Sequence, residues 1–585
     1  MFENSELFNL VKPRSSVEIH LPDGRVISGP RGAAVGFFLR KLPEWQDPPI
    51  VAAIINGDLR ELTFPIHMDA SVQPVSIGDT DGARLYRRSL TFLLEVAFED
   101  LFPQAALTVD HSVASGGFYC QVAGRPPLNA AEVAALEERM RALVAEDLPI
   151  ERRQVPIADA IAYFEQKGMP DKVRLLRYRQ KSHLVLYQLQ EHQDYHHGYM
   201  VPSTGFLGYF ALTPMGEGFV LRYTRRHSPT KLLPMPAYPK LLETFRQYGA
   251  WLSRLGIESV GALNDAITAG RTREVILVSE ALQEQQIAEI AQQVVERAKD
   301  SRIVLIAGPS SSGKTTFSKR LTIQLLAQGL SPYPIELDNY FVDRDQTPLD
   351  ENGHYDFESL RALNTTLLAS HLQQLINGEE VQLPRYNFKT GCSETGEVVR
   401  LRKEQLIILE GIHGLNPSLL PSIREDQTYR VYISCLTQLN LDRHNRISTT
   451  DSRLLRRIVR DARERGYTAL QTISRWESVR KGEKMHIFPY QENADAMFNS
   501  ALVYELSALK ALAEPLLRQV PHGTIEHIEA KRLLAFLEWF QPIPEDIIPD
   551  NSILREFIGG SMLREFKLWE NPDDSFGIYH NGNGG

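Results

Sequence analysis

The stretch RIVLIAGPSSSGKTTF (302–317) constrains the fold of this chain more than any other part of its sequence. An apolar run at 303–306 is typical of a buried strand, and it leads directly into a Gly/Ser-rich turn and then a helical pattern that extends to Gly329. A chance turn before an amphipathic helix would have to produce all three parts in the correct order. The stretch therefore predicts a phosphate-binding loop at the end of a parallel strand, and with it the binding of a nucleoside triphosphate.

Each residue type in this loop has a predicted task. Gly308 and Gly313 let the backbone curl so that successive N–H groups point at one anion. Lys314 reaches the β- and γ-phosphates, and the Thr315 hydroxyl ligates Mg²⁺. The residues predicted to bind the nucleotide are Gly308, Ser310, Ser311, Ser312, Gly313, Lys314, Thr315 and Thr316. The implied cofactors are ATP and Mg²⁺.

Composition narrows the class of protein. The chain has 585 residues, which at about 150 residues per domain predicts roughly three to five domains. Its formal charge of −9 argues against general binding of nucleic acid, including tRNA, because phosphate contacts need a basic surface. Three widely spaced cysteines form neither a disulfide framework nor a zinc site. Residues 1–16 lack a secretory leader pattern and no apolar run approaches a membrane span, so we expect a cytoplasmic protein.

Two acidic residues stand at the ends of predicted strands downstream of the loop. Asp338 ends a short apolar strand that begins at 332, and the ends of parallel strands face the ligand crevice. A turn or helix-cap role is the alternative for Asp338. Glu410 ends the apolar strand 405–410, where a carboxylate is costly unless a cation lies opposite. Thr315 and Glu410 are therefore the predicted Mg²⁺ ligands.

An arginine-rich segment follows these strands. Residues 443–466 hold eight arginines, and Arg453, Arg457 and Arg460 share one helix face at i, i+4, i+7 spacing. Such runs are usually solvated faces. Phosphoryl transfer, however, needs mobile cations to neutralise charge on the equatorial oxygens, and this segment lies downstream of a phosphate-binding loop. The segment is therefore predicted to form a lid.

The front of the chain predicts a small mixed sheet. SVEIHLPDGRVIS (16–28) has apolar residues two apart around a Pro-Asp-Gly turn, which indicates a hairpin. A short amphipathic helix at 33–42 and strands at 50–57 and 72–77 follow. In the order of these elements, and in sequence stretches such as VAAIINGDLREL (51–62), the segment resembles the β-grasp TGS domain of threonyl-tRNA synthetases.

The resemblance to threonyl-tRNA synthetases continues beyond residue 82. Residues 86–103 resemble the helix that opens the editing-type domain, 111–122 resemble the following strand, and 201–212 resemble the closing motif. In the synthetases a HxxxH pair and a Cys/His pair surround one site in this domain. The matching positions in this chain are Arg88, Phe92, His196 and Met200. Arginine and phenylalanine cannot ligate zinc, so we expect no inherited metal or hydrolytic centre.

A cluster of three histidines, His192, His196 and His197, is a further metal candidate. His192 and His196 have the i,i+4 spacing of a helix, but Gly and Pro residues follow and no Cys or acidic residue stands at ligand spacing. Solvated or packed histidines are the favoured interpretation. The front half is thus expected to serve as a scaffold, an oligomer contact or a regulatory surface, and residues 236–300 as a helical connector.

Six motifs after residue 300 keep the order and spacing found in the uridine kinase and phosphoribulokinase family. They are GPSSSGKTTF, LDNYF, YDFES, LPRYNF, ILEGIHGL and RRIVRDARERG. The resemblance covers about residues 300–500 and implies a P-loop α/β fold with a parallel sheet. The whole chain resembles the long bacterial nucleoside kinases, in which TGS and editing-like domains precede a uridine kinase-like domain.

The resemblance implies roles for individual residues. Asp338 matches the catalytic aspartate of the family, and Glu410 matches its metal-associated carboxylate. Asp356 matches the aspartate that holds the acceptor ribose hydroxyls, and Tyr386 and Phe388 match the aromatic residues around the base. The matching lid arginines, which reach phosphates or acceptor, are Arg457, Arg460 and Arg465.

The chain also departs from the family pattern. Gly391 stands where uridine-cytidine kinases have a histidine that reads the base, and Tyr467 and Arg475 replace an arginine and a glutamine of their lid. The phosphate-binding residues are thus retained, whereas the residues that read a pyrimidine are not. A lost hydrogen bond to the base edge relaxes discrimination between bases.

These observations predict an α/β protein with a parallel-sheet P-loop kinase domain behind a β-grasp domain and an α+β synthetase-like domain. The predicted boundaries are 1–80 for the TGS-like domain, 81–225 for the editing-like domain without a metal site, 226–295 for the helical connector, 296–510 for the kinase domain and 511–585 for a helical tail. The implied reaction is transfer of the ATP γ-phosphate to the 5′-hydroxyl of a nucleoside, uridine or cytidine first.

Two alternatives stay open at this point. A phosphoribulokinase-like sugar-phosphate kinase would need no aromatic residues around a base, which makes it the lesser enzyme alternative. A regulatory protein that senses tRNA or threonine, with ATP hydrolysis as a switch, would explain the front half. Its weaknesses are the replaced metal positions and the acidic charge.

Overall fold

The computed structural model describes residues 12, 14–113, 116–299, 301–349, 353, 355–402 and 405–566. The chain divides into two compact units. The first comprises Met1–Pro236, Asn440–Arg446 and Pro521–Arg532, and the second comprises Ala237–Leu439, Ile447–Val520 and Leu533–Gly585. The stretch 1–16, which was predicted to lack a secretory leader, and the end of the predicted tail lie largely outside the described residues. Within the described part, no helix has the length and apolarity needed to cross a membrane.

The first unit begins with a five-stranded sheet in the order β2-β1-β5-β3-β4. Its strands are β1 Ser16–His20, β2 Val26–Pro30, β3 Ile50–Ile55, β4 Asp58–Glu61 and β5 Ala70–Ser76. β1 and β2 are antiparallel around Gly24, whose φ of 86° suits a tight turn, so the hairpin prediction is confirmed. The helix α1 (Val35–Leu39) is shorter than the predicted 33–42.

A long helix, α2 (Thr80–Leu101), follows and confirms the helix predicted at 86–103. It packs into a core with a second sheet of order β11-β12-β7-β6, made of β6 Ala106–Val113, β7 Gly117–Ala123, β11 Phe210–Met215 and β12 Gly218–Tyr223. The single strand predicted at 111–122 is wrong. Two antiparallel strands meet there, because the chain reverses at Gly116, which has a φ of 102°. Residues 114 and 115 of that stretch lie outside the described residues.

A three-stranded antiparallel sheet of order β10-β9-β8 completes the first unit together with three helices. These elements are α3 Ala130–Ala145, β8 Glu151–Pro156, α4 Ile157–Gln166, α5 Pro170–Arg177, β9 His183–Leu189 and β10 His192–Asp194. His192 therefore lies in a strand. The helix that would place His192 and His196 on one face is not formed there.

The second unit opens with three helices, α6 Pro239–Leu255, α7 Val260–Thr268 and α8 Thr272–Arg297, which confirm the helical pattern predicted at 236–300. Its sheet has the order β14-β17-β13-β18-β19, and all neighbouring strands are parallel. The strands are β13 Ile303–Ala307, β14 Pro332–Glu336, β17 Leu406–Glu410, β18 Thr428–Ser434 and β19 Ala496–Asn499. The parallel sheet is thus as predicted, with β19 as an additional strand.

Helices and one hairpin surround this sheet. They are α9 Lys314–Ala327, α10 Thr365–Ile376, the antiparallel pair β15 Glu380–Asn387 and β16 Cys392–Arg400, α11 Thr449–Arg465, α12 Ala469–His486, α13 Glu505–Arg518 and α15 Arg555–Ile558. The helix α14 (Ile525–Leu537) begins in the first unit, which includes Pro521–Arg532. The central strands are almost completely buried, which explains their continuous apolar sequences. Their carboxyl ends carry the polar residues described next.

Candidate active site

The phosphate-binding loop joins β13 to α9, as predicted. Gly308 has no room for a side chain, because a Cβ there would collide with the carbonyl oxygen of Ile433. Gly313 has a φ of 88°, and a Cβ would lie 2.6 Å from Cγ2 of Ile553. The buried hydroxyls of Ser311 and Ser312 have no hydrogen-bond partner among the described residues. The loop therefore keeps buried hydroxyls available beside the N-terminus of α9.

Thr315 and Glu410, the predicted metal ligands, lie against each other. The Thr315 hydroxyl donates a hydrogen bond of 2.9 Å to Oε1 of Glu410, the last residue of β17. Burial raises the pKa of Glu410 to about 7, and Lys314 and the Thr315 hydrogen bond oppose the rise. A hydroxyl and a carboxylate are hard oxygen donors of the kind that Mg²⁺ prefers, so the donor set fits this ion.

Asp338 lies in a 3₁₀ turn, Leu337–Tyr340, directly after β14. The surrounding cleft withdraws its carboxylate from bulk water and raises its pKa, although the side chain still opens to solvent. Glu336 raises this pKa further, whereas the positive charges of Lys314 and Arg465 lower it. Asp338 therefore lies within electrostatic range of the loop lysine, as expected for a carboxylate beside a transferred phosphate.

Glu358 is a carboxylate of this site that the sequence interpretation did not single out. Burial raises its pKa to about 7, with a further rise from Glu483 and opposing effects from Arg457 and Lys314. The Cβ of Glu358 lies 2.6 Å from the position that a Cβ would take at Gly482 of α12. A sequence signal for Glu358 was available, because it is the second acidic residue of the YDFES motif, three positions beyond the Tyr.

The arginine-rich helix α11 lies along the loop. Arg457 donates to the Ser310 hydroxyl at 2.8 Å, and Arg453 donates to the Ser310 carbonyl oxygen at 3.0 Å. Arg453 is also ion-paired with Glu483, and both side chains are fully buried. Arg453 shares a helix face with Arg457, as predicted, since both reach Ser310, but the prediction that it is one of the mobile lid cations is wrong. A buried ion pair fixes its position, since removing either partner would leave an unpaired charge.

The other predicted lid arginines gather around one buried acid. Asp461 accepts contacts from Arg457 at 3.2 Å, from Arg460 at 2.8 Å and from Arg465 at 3.5 Å. Asp461 is 1% exposed, whereas the Arg465 side chain is 50% exposed. This carboxylate therefore holds the three guanidinium groups together near the loop.

The residues predicted to hold the acceptor are spread over two segments. Asp356 accepts a hydrogen bond of 3.2 Å from the N–H of Glu358. The rings of Tyr386 and Phe388 contact each other edge to face, with centroids 5.0 Å apart and planes at 78°. A flat base cannot lie between them in this arrangement and would have to stack on one ring face. As substrate contacts, Asp356, Tyr386 and Phe388 stay predictions.

Arg344 occupies the space beside Gly391, the glycine that departs from the pattern implied by the resemblance. A Cβ at Gly391 would lie 2.7 Å from Cζ and Nε of Arg344, and the φ of 76° disfavours any side chain there. Arg344 donates from Nη2 to the Phe388 carbonyl oxygen at 2.8 Å. A guanidinium that the sequence interpretation did not identify thus fills the space beside Gly391.

In the first unit, the four synthetase-like positions meet in the core. The rings of Phe92 and His196 lie 5.4 Å apart, and Arg88 donates to the carbonyl oxygen of Tyr199 at 2.5 Å. Met200 is fully buried. The resemblance correctly predicted that these residues lie close together. Neither an arginine nor a phenylalanine can serve as a zinc ligand.

A buried ion cluster lies beside them. Glu95, Asp194 and His196 offer ligand atoms within 4.8 Å of one another, so this group could hold a metal ion. The cluster already contains a cation, because the Lys172 ammonium lies 2.8 Å from Asp194 and 3.0 Å from Asp442. Burial lowers the pKa of His196 to about 4 and raises that of Glu95. The expectation that no acidic residue stands at ligand spacing is therefore wrong for Asp194, which lies two residues before His196. Glu95 escaped the sequence interpretation because it comes from a distant segment, the helix α2.

The other two histidines of the sequence cluster have different surroundings. His192 lies between Glu99 at 2.9 Å and Asp100 at 3.1 Å, and the Glu99 hydrogen bond raises its pKa. His197 contacts the Tyr195 hydroxyl at 3.2 Å. These are packed and ion-paired histidines, as favoured from the sequence.

Comparison with known protein families finds a match over about a third of the chain. Residues 303–507 match the Phosphoribulokinase / Uridine kinase family. They form a kinase domain of that family, which confirms the resemblance carried by the six motifs.

The N-terminal region is similar to threonyl-tRNA synthetases, as predicted. The threonine–tRNA ligase of Acidithiobacillus ferrooxidans (strain ATCC 53993 / BNL-5-31) is 35% identical over 199 residues, which are 33% of this chain and 30% of the ligase. That of Polaromonas naphthalenivorans (strain CJ2) is 32% identical over 211 residues, 35% of this chain and 32% of the ligase. The chain thus spans about a third of the length of the curated relatives it matches.

Two solved structures are also similar. One, described as a possible uridine kinase from Bacillus stearothermophilus, has a TM-score of 0.25 and 18% identity, and the match covers 37% of this chain and 98% of that one. D-glycerate 3-kinase from Cryptococcus neoformans has a TM-score of 0.19 and 17% identity, with 45% and 89% covered. At TM-scores this low, neither structure bears on the function of the chain.

Proposed function

Because residues 303–507 form a domain of the phosphoribulokinase and uridine kinase family, we propose that the protein is an ATP-dependent kinase that phosphorylates the 5′-hydroxyl of a nucleoside. One observation carries the proposal. The end of β14, the end of β17 and the N-terminus of α9 bring Asp338 and Glu410 each within electrostatic range of Lys314. A general base, a metal ligand and a phosphate-binding cation are what phosphoryl transfer requires.

The residues divide the reaction between them. Asp338 takes the proton of the acceptor hydroxyl while its oxygen bonds to the γ-phosphorus and the bond to the β–γ bridging oxygen breaks, which releases ADP. Lys314 and the arginines around Asp461 stabilise the charge that spreads over the transferred group. Arg457 is the best placed of these, since it already contacts the loop at Ser310.

Thr315 and Glu410 would hold the metal ion. Held there, Mg²⁺ would supply positive charge that neutralises part of the charge on the phosphates. The hydrogen bond between the two side chains keeps the two oxygen atoms 2.9 Å apart, close enough for both to ligate one ion. The Glu410 carboxylate must then lose the proton that its raised pKa favours.

Asp356, Glu358 and the aromatic residues support a nucleoside as acceptor. A carboxylate can accept hydrogen bonds from two vicinal ribose hydroxyls, and an aromatic face can stack on a base. The positive charges of Lys314 and Arg457 act on the Glu358 carboxylate and lower its pKa. Glu358 is therefore the second candidate for the ribose contact beside Asp356. The family resemblance leads us to expect uridine and cytidine first. We expect loose discrimination among bases, because Gly391 leaves no histidine to read the base.

A substrate panel tests this assignment. Purified protein with Mg²⁺-ATP is offered uridine, cytidine, adenosine, guanosine, inosine and ribulose 5-phosphate, and phosphorylated products are measured by mass. The expected result is turnover of pyrimidine nucleosides and slower turnover of the others. Turnover of the sugar phosphate alone would instead identify a phosphoribulokinase-like enzyme, and turnover of no nucleoside would refute the proposal.

The synthetase-like region favours one further candidate, an ATP-dependent sensor of tRNA or threonine. Its distinguishing result would be ATP hydrolysis stimulated by tRNA or threonine without a phosphorylated small-molecule product. We expect neither ligand to stimulate hydrolysis, because Arg88 and Phe92 fill the positions of the synthetase histidines.

A further inference from the structure

Glu556, in the short helix α15, caps the helix that follows the phosphate-binding loop. Thr316 donates to Oε2 of Glu556 twice, from its backbone N–H at 3.1 Å and from its hydroxyl at 2.8 Å. Thr316 is the third residue of α9, and the N-cap residue, Gly313, has no side chain that could satisfy this N–H. A carboxylate from another segment therefore supplies both the missing acceptor and the negative charge that a helix N-terminus favours.

The segment around Glu556 is held in place from two directions. Arg463 of α11 donates to the carbonyl oxygens of Glu556 at 3.2 Å and of Phe557 at 3.3 Å. The Arg456 guanidinium lies 5.0 Å from the centre of the Phe557 ring. On the loop side, Ile553 is fully buried against Gly313. The lid helix and the loop thus hold Glu556 at Thr316.

This contact conflicts with nucleotide binding. In a phosphate-binding loop the N–H groups at the start of the helix cradle the α- and β-phosphates. The Thr316 N–H and hydroxyl are already given to a carboxylate, and a phosphate oxygen brought to the same donors would meet a like charge. The loop residues predicted to bind nucleotide include Thr316, so the overlap lies within the proposed site.

We propose that the segment 552–558 is a nucleotide gate, in which the Glu556 carboxylate occupies a phosphate-binding position at Thr316 and must be displaced by an incoming nucleoside triphosphate. The inference rests on the proposed function, since it assumes that ATP binds this loop. The gate stabilises the empty loop and lowers its affinity for nucleotide. Movement of the segment would be transmitted to α11 through Arg463, and so to the helix that carries the lid arginines.

A permanent structural cap is the competing explanation. If Glu556 stayed at Thr316 in the nucleotide complex, its removal would cost stability and leave nucleotide affinity unchanged or weaker. A gate predicts the opposite sign for affinity. Affinity therefore separates the two explanations, whereas thermal stability alone does not, because both predict a lower Tm for a Glu556 variant.

The test measures Kd for Mg²⁺-ATP and Mg²⁺-ADP by calorimetry in the full chain, with Glu556→Gln, Glu556→Ala and Arg463→Gln. Glu565→Gln serves as the matched control, since Glu565 is an exposed carboxylate of the same C-terminal region. We expect about tenfold tighter binding of both nucleotides to Glu556→Ala, a smaller gain for Glu556→Gln and Arg463→Gln, and none for the control. Arg463→Gln keeps Glu556 and covers the case in which Glu556→Ala does not fold.

Three results would count against the gate or the function beneath it. Equal or weaker binding in the Glu556 and Arg463 variants overturns the gate and leaves the kinase assignment intact. The same gain in Glu565→Gln would show a general charge effect and also overturn the gate. Failure of every protein, wild type included, to bind ATP overturns the proposed function as well.

Discussion

The Thr315 hydroxyl and the Glu410 carboxylate are hydrogen-bonded at 2.9 Å across the mouth of the phosphate-binding loop. Burial raises the pKa of Glu410 to about 7, so the carboxyl is mostly protonated below that pH in the free protein. A metal ion needs the deprotonated form. The affinity for Mg²⁺-nucleotide should therefore depend on pH in the physiological range.

We expect Mg²⁺-ATP to bind more weakly as the pH falls from 8 to 6, with proton release on binding near pH 7. Calorimetry in buffers of different ionisation enthalpy measures both quantities. Glu410→Gln should bind the metal complex more weakly and lose most of the pH dependence. A wild-type affinity that stays constant from pH 6 to 8 would contradict the assigned role of Glu410. Glu358→Gln is the control, since its carboxyl has a similar pKa but is not a predicted metal ligand.

The same raised pKa predicts a pH-dependent stability of the free protein. The pKa of Glu410 is higher in the folded state, about 7, than in the unfolded chain, so its contribution to stability is fully present at low pH and is lost as the pH rises through 7. Glu410→Gln should therefore raise the Tm of the free protein relative to wild type at pH 8 and change it little at pH 5. Calorimetric melts at the two pH values check this. A larger gain at pH 5 would show that the sign is wrong.

Asp338 and Lys314 should be needed for turnover and not for folding. Asp338→Asn keeps the shape of the side chain and removes the base, so we expect kcat to fall by about 10²–10⁴-fold with little change in Tm. Lys314→Ala should lower kcat/KM for ATP by a similar order, because it removes the cation beside the phosphates. Steady-state kinetics with the best acceptor of the substrate panel measures both. Unchanged kcat in Asp338→Asn would remove it as the base.

Much of the kinase half could be predicted from sequence, because its candidate catalytic residues lie at the ends of strands. The buried strands, the loop and the positions of Asp338 and Glu410 at strand ends depend on local patterns, and the structure has them in place. The order of the strands in the sheet was not predicted. The partners Glu483 and Glu556 are different. They reach the loop from helices that are distant in sequence, and their roles depend on tertiary packing that no local period indicates.

The first unit shows the same limit. Arg88, Phe92, His196 and Met200 could be placed together only by resemblance, and their surroundings could not. Residues 440–446 supply Asp442 to a cluster whose other members lie several hundred residues earlier. A buried Lys172 with two carboxylate partners gives no periodic signal, since a single lysine in a short helix is usually a surface residue.

Lys172 should be essential for the stability of that cluster. It is 1% exposed and is the ammonium partner of Asp194 and Asp442, so Lys172→Met leaves buried negative charge without its cation. We expect a loss of about 3–5 kcal/mol in the free energy of unfolding, measured by chemical denaturation. Lys167→Met is the control, since the Lys167–Glu99 pair is partly exposed and should contribute at most about 1 kcal/mol. Equal effects of the two substitutions would contradict the assignment.

Gly391 and Arg344 allow a test of why the base-reading histidine is absent. Gly391→His should destabilise the β15–β16 hairpin, because its Cβ would lie 2.7 Å from Cζ of Arg344 and its φ of 76° is strained for a side chain. The substitution by itself should therefore lower the Tm and leave base discrimination unchanged. In Arg344→Ala/Gly391→His the space is free, so the Tm should recover in part and uridine should be preferred over adenosine more strongly than in wild type. Melting curves and kcat/KM ratios for the two nucleosides provide the measurement, with Arg344→Ala as the matched control. If Gly391→His alone gained uridine preference without a loss of Tm, the steric conflict with Arg344 would not be the reason for the glycine.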